Sequence, residues 1–306
     1  MAEHLLLSLG YFSDEELRAR KQAGLPLPPH ALWVCNSMRR PFSLICNAIT
    51  SLRTLREGPV GARVQRTLGR DGFTGLRVLS TGAIPQGGFS SSSALTVALK
   101  NALNVLYGLG LPEDTLVHLA CQAEYGTGVR AGSLDQATEQ KGKHGQGALI
   151  SSNPKDNYRT LGVYAVPTDR ISFLFPYSVD RDLDDGALSS ELPLHEIRGG
   201  SFFRGLALID LAEAMLKRAF GAQAVAVRVN AAGQGDFFQV HLDARAARPD
   251  EVKTFLDAAF YTRFGLNPAP RYVEPYPGGG AAGVRLDRFD QLPALIGHLE
   301  ACANSF

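Results

Sequence analysis

Gly87-Gly88-Phe89-Ser90-Ser91-Ser92-Ser93-Ala94 joins a short apolar alternation at Leu76, Val78 and Ile84 to a long apolar run that begins at Leu95. A glycine- and serine-rich loop that opens a helix is an anion site in waiting. The two glycines let backbone approach a ligand, the first helical turn leaves amide donors unpaired, and the helix dipole favours negative charge there. Hydroxyls at Ser90 to Ser93 can bond phosphate oxygens or ligate a magnesium ion. Gly/Ser runs also form plain flexible loops, and this one lacks the lysine of the GxxxxGK[ST] P-loop.

Working outward, the apolar spacing from Phe42 to Leu55 predicts a helix, Gly58-Pro59 a turn, and GLRVLSTG at 75–82 a strand. Ala94 to Tyr107 predicts a helix that is apolar on most sides and ends at Gly108. Pro112, Glu113 and Asp114 open another, running to Tyr125 and stopping at Gly126. Ser133 and Gln136 match a capping box, which places Asp135 in the first turn of a third helix. Beyond Gly147, the segments ALISS, YRTLGVYAV, RISFLF, VAVRV, FFQVHL and RYVEPY read as strands, with helices at Phe203 to Phe220 and Pro249 to Phe264. A charged helix at Glu15 to Gln22 is broken by LPLPPH. This order predicts an α+β architecture in two layers, not a doubly wound parallel sheet.

The composition narrows the function classes. With 306 residues and 45% hydrophobic content, the chain can bury a sizeable core. A net charge of +1 gives no field for nucleic acid or an anionic membrane, and the arginines between Arg39 and Arg77 are spread without interleaved aromatics. Cys35, Cys46, Cys121 and Cys302 show no CxxC spacing, and three lie in apolar stretches, as reduced core thiols do. The seven histidines include no pair at helical ligand spacing, so a zinc site is not expected. The opening MAEHLLLSLGYFSDEELRARK is too short in apolar residues to span a membrane and has no basic region before them. A cytoplasmic protein that binds neither nucleic acid nor membrane is the expectation.

Two acids stand out. Glu124 falls at a helix end, where the dipole disfavours an acid; its plain reading is an exposed terminal glutamate, and its chemical reading is a ligand for a metal or basic partner. Asp135, in a first helical turn, is explained by the dipole alone, yet an ionised aspartate held beside a phosphate loop is also what activates a hydroxyl.

These segments together resemble the GHMP small-molecule kinases, most closely in their galactokinase form. GGFSSSSALTVA is similar to the second motif, PxGxGLSSSAxLEVA. CQAEYGTGVRAGSLDQATEQKGKHGQGALI is similar to AEHxFxGxPCGIMDQ followed by GKKGHALLI, and TRFGLNPAPRYVEPYPGGGAAGV resembles the C-terminal strand and glycine-rich tail. The resemblance spans Phe42 to Arg285. It implies a two-domain GHMP kinase fold: a ribosomal protein S5 domain 2-like N-terminal ATP-binding domain over 1–165, its first forty or so residues truncated or divergent, and a ferredoxin-like C-terminal domain over 166–306. It further implies ATP and Mg2+ as cofactors and transfer of the γ-phosphoryl group to a hydroxyl of a small-molecule sugar. Gly87, Gly88, Ser90, Ser91 and Ser92, with Gly233 and Gly235 of the third motif, would hold the nucleotide. Ser91 or Ser92 and Glu124 would ligate magnesium, Asp135 would be the catalytic acid-base residue, and a homodimer is an admissible assembly.

The departures from the pattern are equally specific. Nothing matches GRVNLIGEHTDY, the first motif, which supplies an arginine and the sugar grip. PFSLICNA at Pro41 to Ala48 takes the place of WxxYVKG, leaving about forty residues upstream; Arg39 or Arg40 could substitute for the arginine, their plain reading being surface arginines. The serine loop is one residue short. The third motif TGAGFGG becomes NAAGQGD at Asn230 to Asp236, which brings an acid toward the phosphates, and SVDRDLDDGALSSEL replaces the sugar-side segment. Three readings follow: a kinase with a rebuilt sugar pocket, the later part of a longer protein, or a catalytically silent galactokinase-like binding protein.

Overall fold

The computed structural model describes residues 12–31, 41–69, 71–80, 90–127, 132–143, 145–165, 170–176, 190–191, 201–230, 237–266 and 280–297. The chain divides into two compact units. One comprises Met1–Gly82, Ser92–Tyr164 and Gly278–Phe306, the other Ala83–Ser91 and Ala165–Pro277.

Helices dominate the first unit: α1 Asp14–Gln22, α2 Pro41–Arg53, α3 Gly58–Leu68, α4 Ser91–Leu106, α5 Glu113–Tyr125 and α6 Leu134–Lys141. Helix α1 is held by a capping box between Ser13 and Glu16. Helix α2 packs on α3 and α5, and α5 on α6. The core takes Ala48, Ile49 and Leu52 from α2, Val64 and Leu68 from α3, Leu99 and Leu103 from α4, and Leu116, Leu119 and Ala123 from α5. These positions recur every three or four residues, so each helix turns one apolar stripe inward.

Two expectations fail here. The turn at Gly58-Pro59 is the start of α3: proline sits in the first turn, where its missing N–H costs nothing, and Val64 and Leu68 supply a buried stripe. The strand expected at 75–82 does not form over its described residues, 75–80. Leu79 is 88% exposed, and no described strand pairs with this segment to satisfy its backbone. Among the described residues, this unit's strands β1 Gln146–Ile150 and β2 Thr160–Ala165 pair with each other and leave Leu149, Leu161, Val163 and Tyr164 exposed.

The second unit runs β3 Arg170–Pro176, α7 Ser201–Phe220, β4 Val225–Asn230, β5 Phe237–Asp243 and α8 Pro249–Leu256, which widens into a π-turn over Asp257–Thr262. Its sheet has the order β3-β5-β4, with both pairings antiparallel. Strand β5 therefore lies between two strands joined by a helix, the split βαβ arrangement of ferredoxin-like domains. Register explains the core: Val225 faces Leu242, Val227 faces Val240 and Val229 faces Phe238. Leu208, Leu211, Ala212, Met215 and Leu216 of α7 pack on this face with Val252, Leu256, Phe260 and Phe264. Phe260 meets Phe238 edge-on at 6.0 Å and Phe264 at 5.8 Å. The last expected strand, RYVEPY, lies outside the described residues. The fold is α+β, and no helix among the described residues is long and apolar enough to cross a membrane.

Candidate functional site

Ser90 precedes α4 with φ 58, in the left-handed region that serine rarely enters, and Ser91 then begins the helix. Ser92 is half-buried, and Ser93 is fully buried. Ser93 Oγ donates to Glu139 Oε1 at 2.9 Å. Gly87, Gly88, Gly233 and Gly235 lie outside the described residues, as do Arg39, Arg40 and Asp236.

Glu124, in the last turn of α5, is not the exposed helix-end glutamate of the plain reading: it is 5% exposed. Burial pushes its carboxyl up to about 7. The charge of Asp135 adds to this, and hydrogen bonding from Gln136 and Ser92 works against it. Glu124 is thus in electrostatic reach of Asp135, and Ser92 joins the same group. The end of α5 approaches α2 so closely that a Cβ at Gly126 would come 2.7 Å from Asn47 Cγ.

Asp135 lies in the first turn of α6, as expected, but the capping box does not form. Ser133 takes φ -90 and ψ 7 instead of the extended geometry of a capping serine, and its side chain makes no cap bond. Gln136 is freed from that role and turns to Glu124; it is 1% exposed. Glu139, one helical turn beyond Asp135 on the same face, is the residue that sequence reasoning misses. Burial pushes its carboxyl up to about 8, and the charges of Asp135 and Glu124 push the same way against the Ser93 bond. The i, i+4 spacing from Asp135 is the one signal that points to it.

Serine hydroxyls and a buried carboxylate are the donor chemistry of a hard divalent cation. Glu124 Oε1 and Gln136 Oε1 are buried without a hydrogen-bond partner, and both are oxygens, so the residues present fit Mg2+. Among the described residues no three His, Cys, Asp or Glu side chains are gathered to hold an ion by themselves, so serine or amide oxygens would have to complete the set. Cys121 is no nucleophile here: burial, then the Glu124 charge, push its thiol up to about 12. Cys46 is exposed.

Behind the acids, α4 carries a second polar layer. Lys100 is fully buried, and its Nζ donates to the Ala48 carbonyl and to Ser51 Oγ. Desolvation brings its ammonium down to about 7. Asn101 Nδ2 donates to Gln140 Oε1 at 2.7 Å, and Gln140 Nε2 donates to the Ala281 carbonyl at 3.3 Å. The glycine-rich tail thereby lies on α4, where a Cβ at Gly283 would come 2.5 Å from the Asn101 carbonyl oxygen.

Residues 55–142 match the profile of the family described as GHMP kinases N terminal domain. Galactokinase of Lacticaseibacillus casei is 34% identical over 94 residues, 30% of this chain and 24% of that protein. Galactokinase of Lacticaseibacillus paracasei matches with the same identity, length and shares. The chain thus spans about a quarter of the length of the curated relatives it matches. The crystal structure of Lactococcus lactis galactokinase complexed with galactose is similar with a TM-score of 0.47 and 16% identity, over 81% of this chain and 77% of that one. The residues of the family match carry the start of α4, Glu124, Asp135 and Glu139, so the segment 55–142 is a GHMP kinase N-terminal domain by its profile, and the chain is similar there to galactokinases.

Proposed function

We propose that the protein is an ATP-dependent kinase that phosphorylates a hydroxyl of a monosaccharide, with residues 1–165 as its ATP-binding domain and 166–306 as its C-terminal domain. The observation that carries this reading is the gathering of Glu124, Asp135 and Ser92 beside the start of α4, in a setting buried enough to strengthen electrostatics. A pure scaffold would gain nothing from two acids that raise each other's cost of burial.

In this reading the loop glycines Gly87 and Gly88, the third-motif glycines Gly233 and Gly235, and Ser90 to Ser92 hold the nucleotide phosphates. Glu124, with Ser91 or Ser92, holds magnesium. Bound ATP and its cation supply the phosphoryl group and neutralise the charge that builds on it during transfer. Asp135 would orient the acceptor hydroxyl and take its proton as the γ-phosphoryl group passes to that oxygen, the bond to phosphorus forming as the bond to the leaving ADP oxygen breaks. Most of the rate comes from positioning and from fixed charge.

A catalytically silent, galactokinase-like binding protein is the second reading. It is favoured by the unpaired 75–80 segment, where the strand expected before the serine loop is not formed. Calorimetry with ATP and magnesium, combined with ADP release across a panel of monosaccharides, separates the two. Sugar-stimulated ADP release is expected; nucleotide binding without turnover at any sugar would sink the kinase.

A further inference from the structure

Five buried side-chain nitrogen or oxygen atoms among the described residues lack a hydrogen-bond partner, and three of them are oxygens. All three belong to one cluster: Glu124 Oε1, Gln136 Oε1 and Glu139 Oε2. Glu124 and Gln136 are 5% and 1% exposed, so water does not compensate freely.

Among the described residues, the basic side chains of α4, α5 and α6 are engaged elsewhere. Helix α4 carries one basic residue, Lys100, bonded to Ala48 and Ser51. Helix α6 carries one, Lys141, which pairs with Asp114 and the Tyr158 carbonyl. Helix α5 has no lysine or arginine, and its His118 faces Tyr158 and Gln122. Glu124 and Glu139, each within reach of the other's charge and of Asp135, thus have no basic partner on α4, α5 or α6. Three acceptor oxygens left over after Ser92, Ser93 and Gln136 have donated call for a positive ligand made of charge alone, which is a hard divalent cation.

We propose that Glu139 is a cation ligand alongside Glu124, its Oε2 turned to the ion while Oε1 is steadied by Ser93, with the Gln136 amide oxygen completing the protein's share. The inference rests on the kinase reading for the placing of a cation at Glu124, and extends it: a site with two carboxylates and an amide oxygen binds its ion before nucleotide arrives. Asp135, left outside the coordination set, keeps its basicity for the acceptor hydroxyl. Two carboxylates also favour a tighter, less nucleotide-dependent ion than one carboxylate and a hydroxyl would hold.

The test is Mn2+ binding to the full chain without nucleotide, followed by the loss of the free-ion electron paramagnetic resonance signal and by the metal-induced rise in melting temperature. Wild type is expected to bind Mn2+ in both assays. Glu139→Gln is expected to weaken binding by about tenfold or more, to lose most of the metal-induced rise, and to melt higher than wild type in the absence of metal because a buried repulsion is gone. Glu139→Asp, which keeps the carboxylate, should recover part of the affinity. Failure of wild type to bind Mn2+ alone would overturn the proposal, as would unchanged affinity in a folded Glu139→Gln. ATP·Mg2+ calorimetry on the same samples separates the two ideas. Nucleotide binding with no Glu139 dependence of Mn2+ leaves the kinase reading standing and removes this one. Glu139-dependent Mn2+ binding without any nucleotide binding does the reverse.

Discussion

The two units solve burial in opposite ways. In the second, the core is apolar but for the Tyr261 hydroxyl: burial alternates along β4 and β5, and Phe238, Phe260 and Phe264 meet edge to face. In the first, every buried polar or charged side chain of the described residues is found, from Ser51 and Ser93 through Lys100 and Asn101 to Glu124, Gln136 and Gln140. A buried polar group costs stability unless it is satisfied. Glu124, Gln136 and Glu139 are only partly satisfied, so this unit keeps a polar interior that its own packing does not justify.

The contrast is sharpened most by Asp135→Asn. Sugar-dependent ADP release should fall by roughly 100- to 10,000-fold while calorimetric ATP affinity stays close to wild type, because the change removes a base without removing a phosphate contact. Equal losses in both would make Asp135 another structural acid. Next in size is Phe260→Ala, which removes the ring on which Phe238, Tyr261 and Phe264 converge. Denaturant unfolding should show a loss of about 3–5 kcal/mol. A loss under about 1 kcal/mol would mean that the apolar unit can repack, and the contrast would weaken.

The smallest effect is a pH dependence. The Lys100 ammonium is held down to about 7 in the folded chain, against 10.5 as its ordinary value. Between those values the unfolded chain binds more protons, so this residue makes stability rise with pH across that window and contributes no slope below it. Lys100→Met should remain folded, exceed wild type in urea midpoint at pH 7, and lose more than about 1.4 kcal/mol of that advantage by pH 10. A difference that does not change with pH would show Lys100 to be charged in place.

Much of this contrast is legible in the residues alone. Alternation in VAVRV and FFQVHL marks β4 and β5, because one face is buried and the pattern has nowhere else to go. Motif and helix-end chemistry mark Asp135 and the helix-opening serines. What escapes is tertiary. Residues 75–80 have a strand's composition but no described neighbour to bond with, and α3 hides behind a Gly-Pro pair that reads equally well as a turn. Helix-end propensity makes Glu124 look exposed because it says nothing of what α4 and α6 bring over that position. Gln136 fits a cap by spacing, but the Ser133 backbone cannot form it, and Glu139 stays hidden because only Asp135 carries the motif.

The bond from Gln140 to the Ala281 carbonyl has a consequence for biosynthesis. It spans 141 positions. At about 5–20 residues per second, the Asn101–Gln140 pair leaves the ribosome roughly 7–28 s before the tail that covers it. The rest of the second unit, Ala165–Pro277, emerges during that wait, so a nascent chain keeps an open helical layer while its sheet is already complete. Chaperone capture should peak in that interval and end when residue 281 is released.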